Sequence, residues 1–452
     1  MADKVYLAAV EGGGTTFVVS IACLDDGLEN ILNIGSRKLQ LLHTASIPKR
    51  DEVTGEIPNN HTPEQIINEA CSFFRENLPP GGRGHYSALG IATFGPAGVD
   101  PKSKLQYGKI LAGSPKKQWR GVDILSPLKE ACGLVGKLEE RVAFDTDVNA
   151  PAMAEFRHRC YLQQQASNTS ATSPCKPLTS LSYITIGTGV GVGMVLNSQP
   201  LHGLLHPEGG HICIQPLPDD TFNGYSWGAN SPYKGLGTVE GVASSVALTE
   251  RWIQMEQEET SSGDEKQHPH DVNTNDRNGD NAQTREILST LPNTHPIWLH
   301  ASNAIANLCV SLLLLTSCQK IVLGGGVMKR DILFSMVRSR VWTLLNGYLD
   351  SVDELSDERK LEDVIVRSSW EEVGSGLVGA FALALDAYEK DASAEREDEG
   401  IVLDNDCSGK KKAAMENEKH LFTSGVLVGI GLSFGCALMM SLLGRGSSLH
   451  RR

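Results

Sequence analysis

The sequence predicts an α/β fold in two halves around a central cleft, followed by one membrane-spanning helix. Three observations carry that expectation. Strand-like apolar runs alternate with helix-periodic segments over residues 4–387, without heptads or a long internal repeat. Glycine-rich turns follow strands in both halves: EGGGTT at 11–16, GTGVGVG at 187–193 and GGG at 324–326. Residues 421–443 (LFTSGVLVGIGLSFGCALMMSLL) contain no charge and are flanked by basic residues. At ~1.5 Å rise per residue they make roughly 34 Å of helix, enough for a hydrocarbon core of about 30 Å.

The elements follow in order. VYLAAV (5–10) enters the first glycine turn and returns as FVVSIACL (17–24). Strand–turn–strand makes a hairpin tip, whereas a dinucleotide-binding turn leads into a helix, so that site class is disfavoured. A helical pattern at 63–76 precedes the strand ALGIATF (88–94), and another at 122–135 precedes RVAFD (141–145). A helix over 148–160 starts at the FDTDVNAP junction, with Pro151 in its first turn. LSYITIG (181–187) and VGVGMVL (190–196) flank the second glycine turn. Helical patterns at 239–257 and 295–317 lead to KIVLGG (320–325), and helices at 327–348 and 375–388 close the body. The polar tracts 163–177 and 258–285 are surface insertions, and 388–420 is a flexible linker. Domains are therefore expected at 1–147 and 148–387, then the linker, then a tail anchor at 421–443.

Charge and cysteine content exclude several classes. The 452 residues carry 41 Lys and Arg against 54 Asp and Glu, a formal charge of −13, which repels nucleic acid. Ten cysteines without one CxxC pair indicate neither a disulfide framework nor a zinc ribbon. The N-terminal MADKVYLAAV reads as a first strand, not a secretion signal. A charge-free span ahead of a short basic tail is a tail-anchor pattern that leaves the body in the cytosol. Its modest hydrophobicity favours a mitochondrial or plastid outer membrane over the endoplasmic reticulum.

Backbone N–H groups of glycine turns can converge on an anion, and a threonine hydroxyl adds a donor. Three such turns in two halves suggest a nucleotide held in the cleft. Asp147 and Asn149 fall at a strand–helix junction, where clefts of α/β folds lie, though either could simply cap the helix. HGLLHPEGGH (202–211) supplies Glu208 and His211, and TVEG supplies Glu240. Carboxylate, amide and imidazole together suit a polyhydroxylated ligand, although His211 alone reads more readily as a structural histidine.

In this order, GGT, FGP (94–96), FDTDVN, GTGVGVG, HPEGGH, VEG and LGGGVM (323–328) resemble the ROK family of sugar kinases, and within it the bacterial-type fructokinases. The resemblance covers 4–387. It implies the two-domain actin-like ATPase (ribonuclease H-like) fold and ATP- and Mg²⁺-dependent phosphorylation of a hexose, with a homodimer allowed. It implies Asp147 as general base; Gly95, Asn149, Glu208, His211 and Glu240 around the sugar; and Gly13, Gly14, Thr15, Thr16, Gly187, Thr188, Gly189, Gly324, Gly325 and Gly326 against ATP. Fructose is the expected sugar; glucose, mannose or an N-acetylhexosamine is the alternative, and a catalytically lapsed sugar sensor or scaffold the alternative of another class.

Three departures from the family pattern involve five positions. Thr16 stands where the family has Lys, Thr146 where Asn is common, and Ser231, Lys234 and Gly237 where zinc ligands follow His211. One His cannot hold zinc, so no metal site is expected and the 230–241 loop must be ordered by other contacts.

Overall fold

The computed structural model describes residues 4–13, 16–24, 31–49, 61–80, 84–169, 176–226, 230–261, 282–370 and 372–398. The tail 421–443 and most of the expected linker lie outside the described residues.

Six strands form the first sheet: β1 (Tyr6–Gly12), β2 (Phe17–Leu24), β3 (Ile31–Ile34), β4 (Arg37–Ile47), β5 (Ala88–Thr93) and β6 (Val142–Thr146), in the order β3-β4-β2-β1-β5-β6. Five form the second: β7 (Leu181–Ile186), β8 (Val190–Leu196), β9 (Gln199–Pro200), β10 (Lys320–Gly324) and β11 (Ile365–Arg367), in the order β11-β10-β7-β8-β9. The two sheets share one plan. A hairpin, β1–β2 or β7–β8, stands in the middle, and two strands run parallel to its first arm on the other side. Gly13 and Thr16 in the first sheet and Gly187–Gly189 in the second therefore lie at equivalent ends of their hairpins.

The helices are α1 (Pro63–Glu76), α2 (Leu125–Ala131), α3 (Asn149–Thr169), α4 (Val239–Ala243), α5 (Ser245–Ser261), α6 (Ala282–Thr290), α7 (Ile297–Thr316), α8 (Ile332–Leu345), α9 (Leu361–Val364) and α10 (Ser375–Asp398). α1 starts sharply because Thr62 and Gln65 cap each other's backbone and Pro63 fills the first turn. Its buried Ile66, Ile67, Ala70, Cys71 and Phe74 recur at helical spacing and pack with Tyr86 and Trp119 on one face of the first sheet. α7 and α8 cover the second sheet around Ile184, Val192 and Ile305. α7 has the length and apolarity of a membrane span, but most of its residues are buried in this core.

α3 joins the halves. Ala150 and Ala154 pack with α10 and the first sheet, whereas Ala152, Met153 and Phe156 pack against β7 and β8 of the second. A helix apolar on two sides is what burial between two layers requires. α10, from the far end of the sequence, returns to β1 and β5 of the first sheet, so the expected boundary at 147/148 does not divide the fold in space. The approach is close: a Cβ at Gly90 would overlap the Ala380 carbonyl, and one at Gly379 would lie 2.5 Å from the Pro151 nitrogen. Gly90→Ala forces α10 away from the sheet and is expected to cost about 1–3 kcal/mol, read as a lower denaturation midpoint at unchanged m-value.

Several boundaries differ from the sequence reading. Residues 388–398, expected as linker, continue α10: Arg157 and Arg37 hold Glu389, each at 2.7 Å, and Arg141 holds Asp391. The expected insertion at 163–177 is helical through Thr169, because its Gln-rich start propagates α3, and Gln163 then clamps the Lys176 carbonyl (2.8 Å) and the Leu178 N–H (3.1 Å). The helix expected over 239–257 breaks at Ser244, whose extended backbone and hydroxyl cap α5 through the Ala247 N–H at 3.2 Å. Of the expected insertion 258–285, residues 262–281 lie outside the described set.

Candidate functional site

The C-terminal ends of β1, β5 and β6 lie level, with Gly12 opposite Thr93 and Thr93 opposite Thr146. One residue further, the Phe94 N–H donates to the Gly12 carbonyl at 3.0 Å and the Asp147 N–H to the Thr93 carbonyl at 2.8 Å. The first hairpin tip is closed by the Gly13 N–H on the Thr16 carbonyl at 2.9 Å; Gly14 and Thr15 lie outside the described residues. In the second sheet Thr185 pairs with Gly324, and the Gly187 N–H closes its tip on the Gly189 carbonyl at 2.9 Å. Gly325, at φ +91°, lies directly against the Ile186 backbone, where a Cβ would come within 2.5 Å of the Ile186 carbonyl oxygen. The two glycine runs, Gly187-Thr188-Gly189 and Gly324-Gly325-Gly326, thus follow the C-terminal ends of the neighbouring strands β7 and β10.

Asp147 is the electrostatic centre. Burial, and next the Glu11 carboxylate, push it up to about 7; Lys116 opposes this and Glu208 adds to it. Its own surface is only partly closed, but the protein atoms packed round it exclude most water. Glu11, the last residue before the glycine run, is itself raised by burial, although the Leu377 N–H at the start of α10 binds its carboxylate. Gly376 leaves room for that carboxylate, which any Cβ there would overlap.

Glu208 and Glu240 form a second acidic pair, and Glu208 acts in turn on Asp147. Burial, then Glu240, push Glu208 up to about 7, an effect softened by the 43% of its side chain left open to solvent. Glu240 is fixed by the Val190 N–H at 3.1 Å and sits close to Gly189, where a Cβ would lie 2.7 Å from its Oε2. His211 Nε2 lies 3.8 Å from Glu208, while its buried Nδ1 has no hydrogen-bond partner among the described residues. Gly95 lies against His206, whose Nδ1 is 3.6 Å from Glu208: a Cβ at Gly95 would come within 2.9 Å of the His206 ring.

Asn149, expected to border the sugar, is fully buried instead. Its side chain accepts from Met194 N–H (3.1 Å) and donates to the Leu201 carbonyl (3.3 Å) and Asp145 (3.2 Å). Those bonds brace the junction that carries Asp147. Asp145 also accepts His202 Nε2 at 2.8 Å, and this bond raises the His202 pKa. His206 accepts the Ala97 N–H through Nε2 at 3.2 Å, so its proton sits on Nδ1; burial lowers its pKa and keeps it neutral.

Glu11, Lys116, Asp145, His202 and His206 do not stand out as candidates in the sequence. Glu11 opens EGGGTT and the two histidines lie within HGLLHPEGGH, so the motifs contain the signal. At the departing zinc positions, Ser231 hydrogen-bonds Ser226 at 2.5 Å and Lys234 adopts the left-handed conformation at φ 56°. Among the described residues no group of three or more His, Cys, Asp or Glu side chains is arranged to hold a metal ion.

The ROK family model matches residues 32–387. A fructokinase of Zymomonas mobilis subsp. mobilis is 30% identical over 389 residues, 86% of this chain and 99% of that protein. A fructokinase of Lactococcus lactis subsp. cremoris is 29% identical over 389 residues, 86% and 100% respectively. Among solved structures, a ROK hexokinase from Thermus thermophilus matches with a TM-score of 0.51 at 19% identity, covering 86% of this chain and all of that one.

Proposed function

Because this chain belongs to the ROK family, we propose that it is an ATP-dependent hexose kinase, and within that class a fructokinase that makes fructose 6-phosphate. The fold is the actin-like ATPase fold of the family's sugar kinases. The observation that carries the chemistry is a carboxylate, Asp147, poised to titrate near neutrality one residue beyond β6, level with the end of β1 that leads into the first glycine run. A base must be able to take a proton at working pH, and a value near 7 suits that task.

Asp147 accepts the proton of the attacking sugar hydroxyl. Glu208, His211 and Glu240 bind hydroxyls, with Gly95 giving close approach beside His206. The ATP phosphates and nucleoside are assigned to the first glycine motif (Gly13 to Thr16), to Gly187–Gly189 and to Gly324–Gly326. Mg²⁺ would come with ATP as its phosphate complex and would offset the repulsion between the phosphates and the acidic side chains of the site.

The ionised form of Asp147 is the active one. kcat/KM should therefore fall about tenfold per pH unit below roughly 7. Glu11→Gln removes a charge that raises Asp147, so its acid limb should move to lower pH. Rate profiles of wild type and variant test both statements; a flat profile from pH 5 to 8 contradicts the role of Asp147. Sugar choice is read as the ratio of kcat/KM for fructose against glucose, mannose and N-acetylhexosamines. The proposal includes tethering through 421–443; a fluorescent protein fused to residues 415–452 that stays diffuse in the cytosol removes that part.

A further inference from the structure

We propose that Lys116 is a catalytic residue of this reaction, its ammonium contacting the phosphoryl group as it passes from ATP to the sugar. The inference rests on the kinase reading above and adds a residue to it.

Position comes first. Phe94 continues β5 between the glycine hairpin and Asp147, as its hydrogen bond to Gly12 and the neighbouring bond from Asp147 to Thr93 fix it. The Lys116 ammonium stands 4.6 Å from the centre of the Phe94 ring. It is thus carried to the end of the strand row where the first glycine turn and Asp147 meet. The loop is rigid for reasons of its own. Ser114, fully buried, accepts the Lys116 N–H at 3.3 Å and donates to the Gly95 carbonyl at 3.4 Å. Arg120 Nε holds the Ser114 carbonyl at 2.7 Å. Trp119, also fully buried, stacks on Phe17 (5.2 Å) and meets Phe94 edge-on (5.5 Å). A long surface lysine has many rotamers; this one is half-buried and braced on an aromatic face.

Charge comes second. Of the groups acting on Asp147, Glu11 and Glu208 are acids and Lys116 is the base that favours its ionised form. Acidic groups beside a triphosphate repel it, and an ammonium close enough to act on Asp147 offsets part of that repulsion. In transfer, the sugar oxygen forms a bond to the γ-phosphorus as its proton passes to Asp147. The bond from that phosphorus to the bridging oxygen breaks, and its electron pair leaves with ADP. Charge spreads over the three equatorial oxygens. Lys116 keeps its protons throughout and contributes charge alone, more strongly in the transition state than in the ground state.

The test uses the full chain and compares Lys116→Met, Lys116→Gln, Lys116→Arg and, as a control, the exposed neighbour Lys117→Met, with saturating MgATP and varied fructose. Lys116→Met and Lys116→Gln should each lower kcat by about 100-fold or more, with KM for fructose within about threefold. Lys116→Arg should recover at least tenfold of that loss, and Lys117→Met should match wild type. The acid limb of Lys116→Gln should also move to higher pH, because the cation that holds Asp147 down is gone. A purely packing role would move the melting temperature and leave that limb in place. Retention of kcat within threefold in either neutral variant, beside an active wild type, overturns the proposal. A folded wild type that turns over no hexose overturns the kinase reading and the proposal with it.

Discussion

Asp147→Asn is expected to cut kcat by about 10²–10⁴-fold and, at pH 8, to raise the melting temperature by several degrees. The two effects share one cause. The pKa of Asp147 is pushed up to about 7 in the folded chain, mainly by burial and then by Glu11, against about 3.9 when unfolded. Between those values the folded state binds more protons than the unfolded one, so stability falls as pH rises through that window. Above the folded value the full cost is present. Asparagine is neutral and nearly isosteric; it removes the cost and the base together. Calorimetry at pH 4 and pH 8 checks the sign: the stabilisation should appear at pH 8 and be absent at pH 4. Unchanged turnover, or an equal shift at both values, contradicts the role given to Asp147.

Asp220→Ala is expected to destabilise the fold by about 3–5 kcal/mol, more than Gly90→Ala does by crowding α10. Asp220 lies in the segment that runs from His211 to Glu240. It accepts Arg251 through two bonds (2.8 and 2.9 Å), His300 Nδ1 at 3.0 Å and the Phe222 N–H at 3.1 Å. Arg251 is 4% exposed and also stands 4.4 Å over the Phe222 ring. Burial opposes ionisation of Asp220, but the Arg251 bonds and charge win and hold it below the usual carboxylate range. Removing the acid strands a buried guanidinium. Replacing both members by apolar residues, Asp220→Leu with Arg251→Met, should recover most of the loss. Chemical denaturation of the single and double variants reads this directly; a single variant within about 1 kcal/mol of wild type sinks it. Because this segment delivers Glu240, the single variant should also lose affinity for sugar. The ion cluster is a contact that orders the segment carrying Ser231, Lys234 and Gly237.

The strands are legible in the sequence because most are short apolar runs bounded by glycine: β1, β2, β5, β7, β8 and β10 sit within a residue or two of their expected ends. β3 and β4 are not. β4 pairs along all of β2, yet it buries only Leu39 and Ile47 and carries Lys38, Gln40 and His43, so its sequence resembles a polar connection. The extension of α10 beyond 388 is equally hidden, because Glu389 and Asp391 look like linker charges until Arg157, Arg37 and Arg141 arrive from distant segments.

The site follows the same division. Asp147, Glu208, Glu240 and the glycine turns stand in compact motifs that chain order already groups. Asn149 misleads, because a side chain two residues from Asp147 looks available for sugar until β8 closes over it. Glu11 and Lys116 carry no local mark: a glutamate before glycine and a lysine beside another lysine are ordinary surface charges. The parallel register of β1, β5 and β6 sets Glu11 near Asp147, and the loop after β5 lays Lys116 over the Phe94 ring.

The most direct measurement is transfer of labelled γ-phosphate from MgATP onto fructose by the full chain, with Asp147→Asn run beside it and glucose, mannose and N-acetylglucosamine as competing acceptors. Label should appear on fructose preferentially, with the wild type alone. Label on no sugar from a folded wild type, or equal transfer by Asp147→Asn, would contradict the assignment of a hexose kinase with Asp147 as its base.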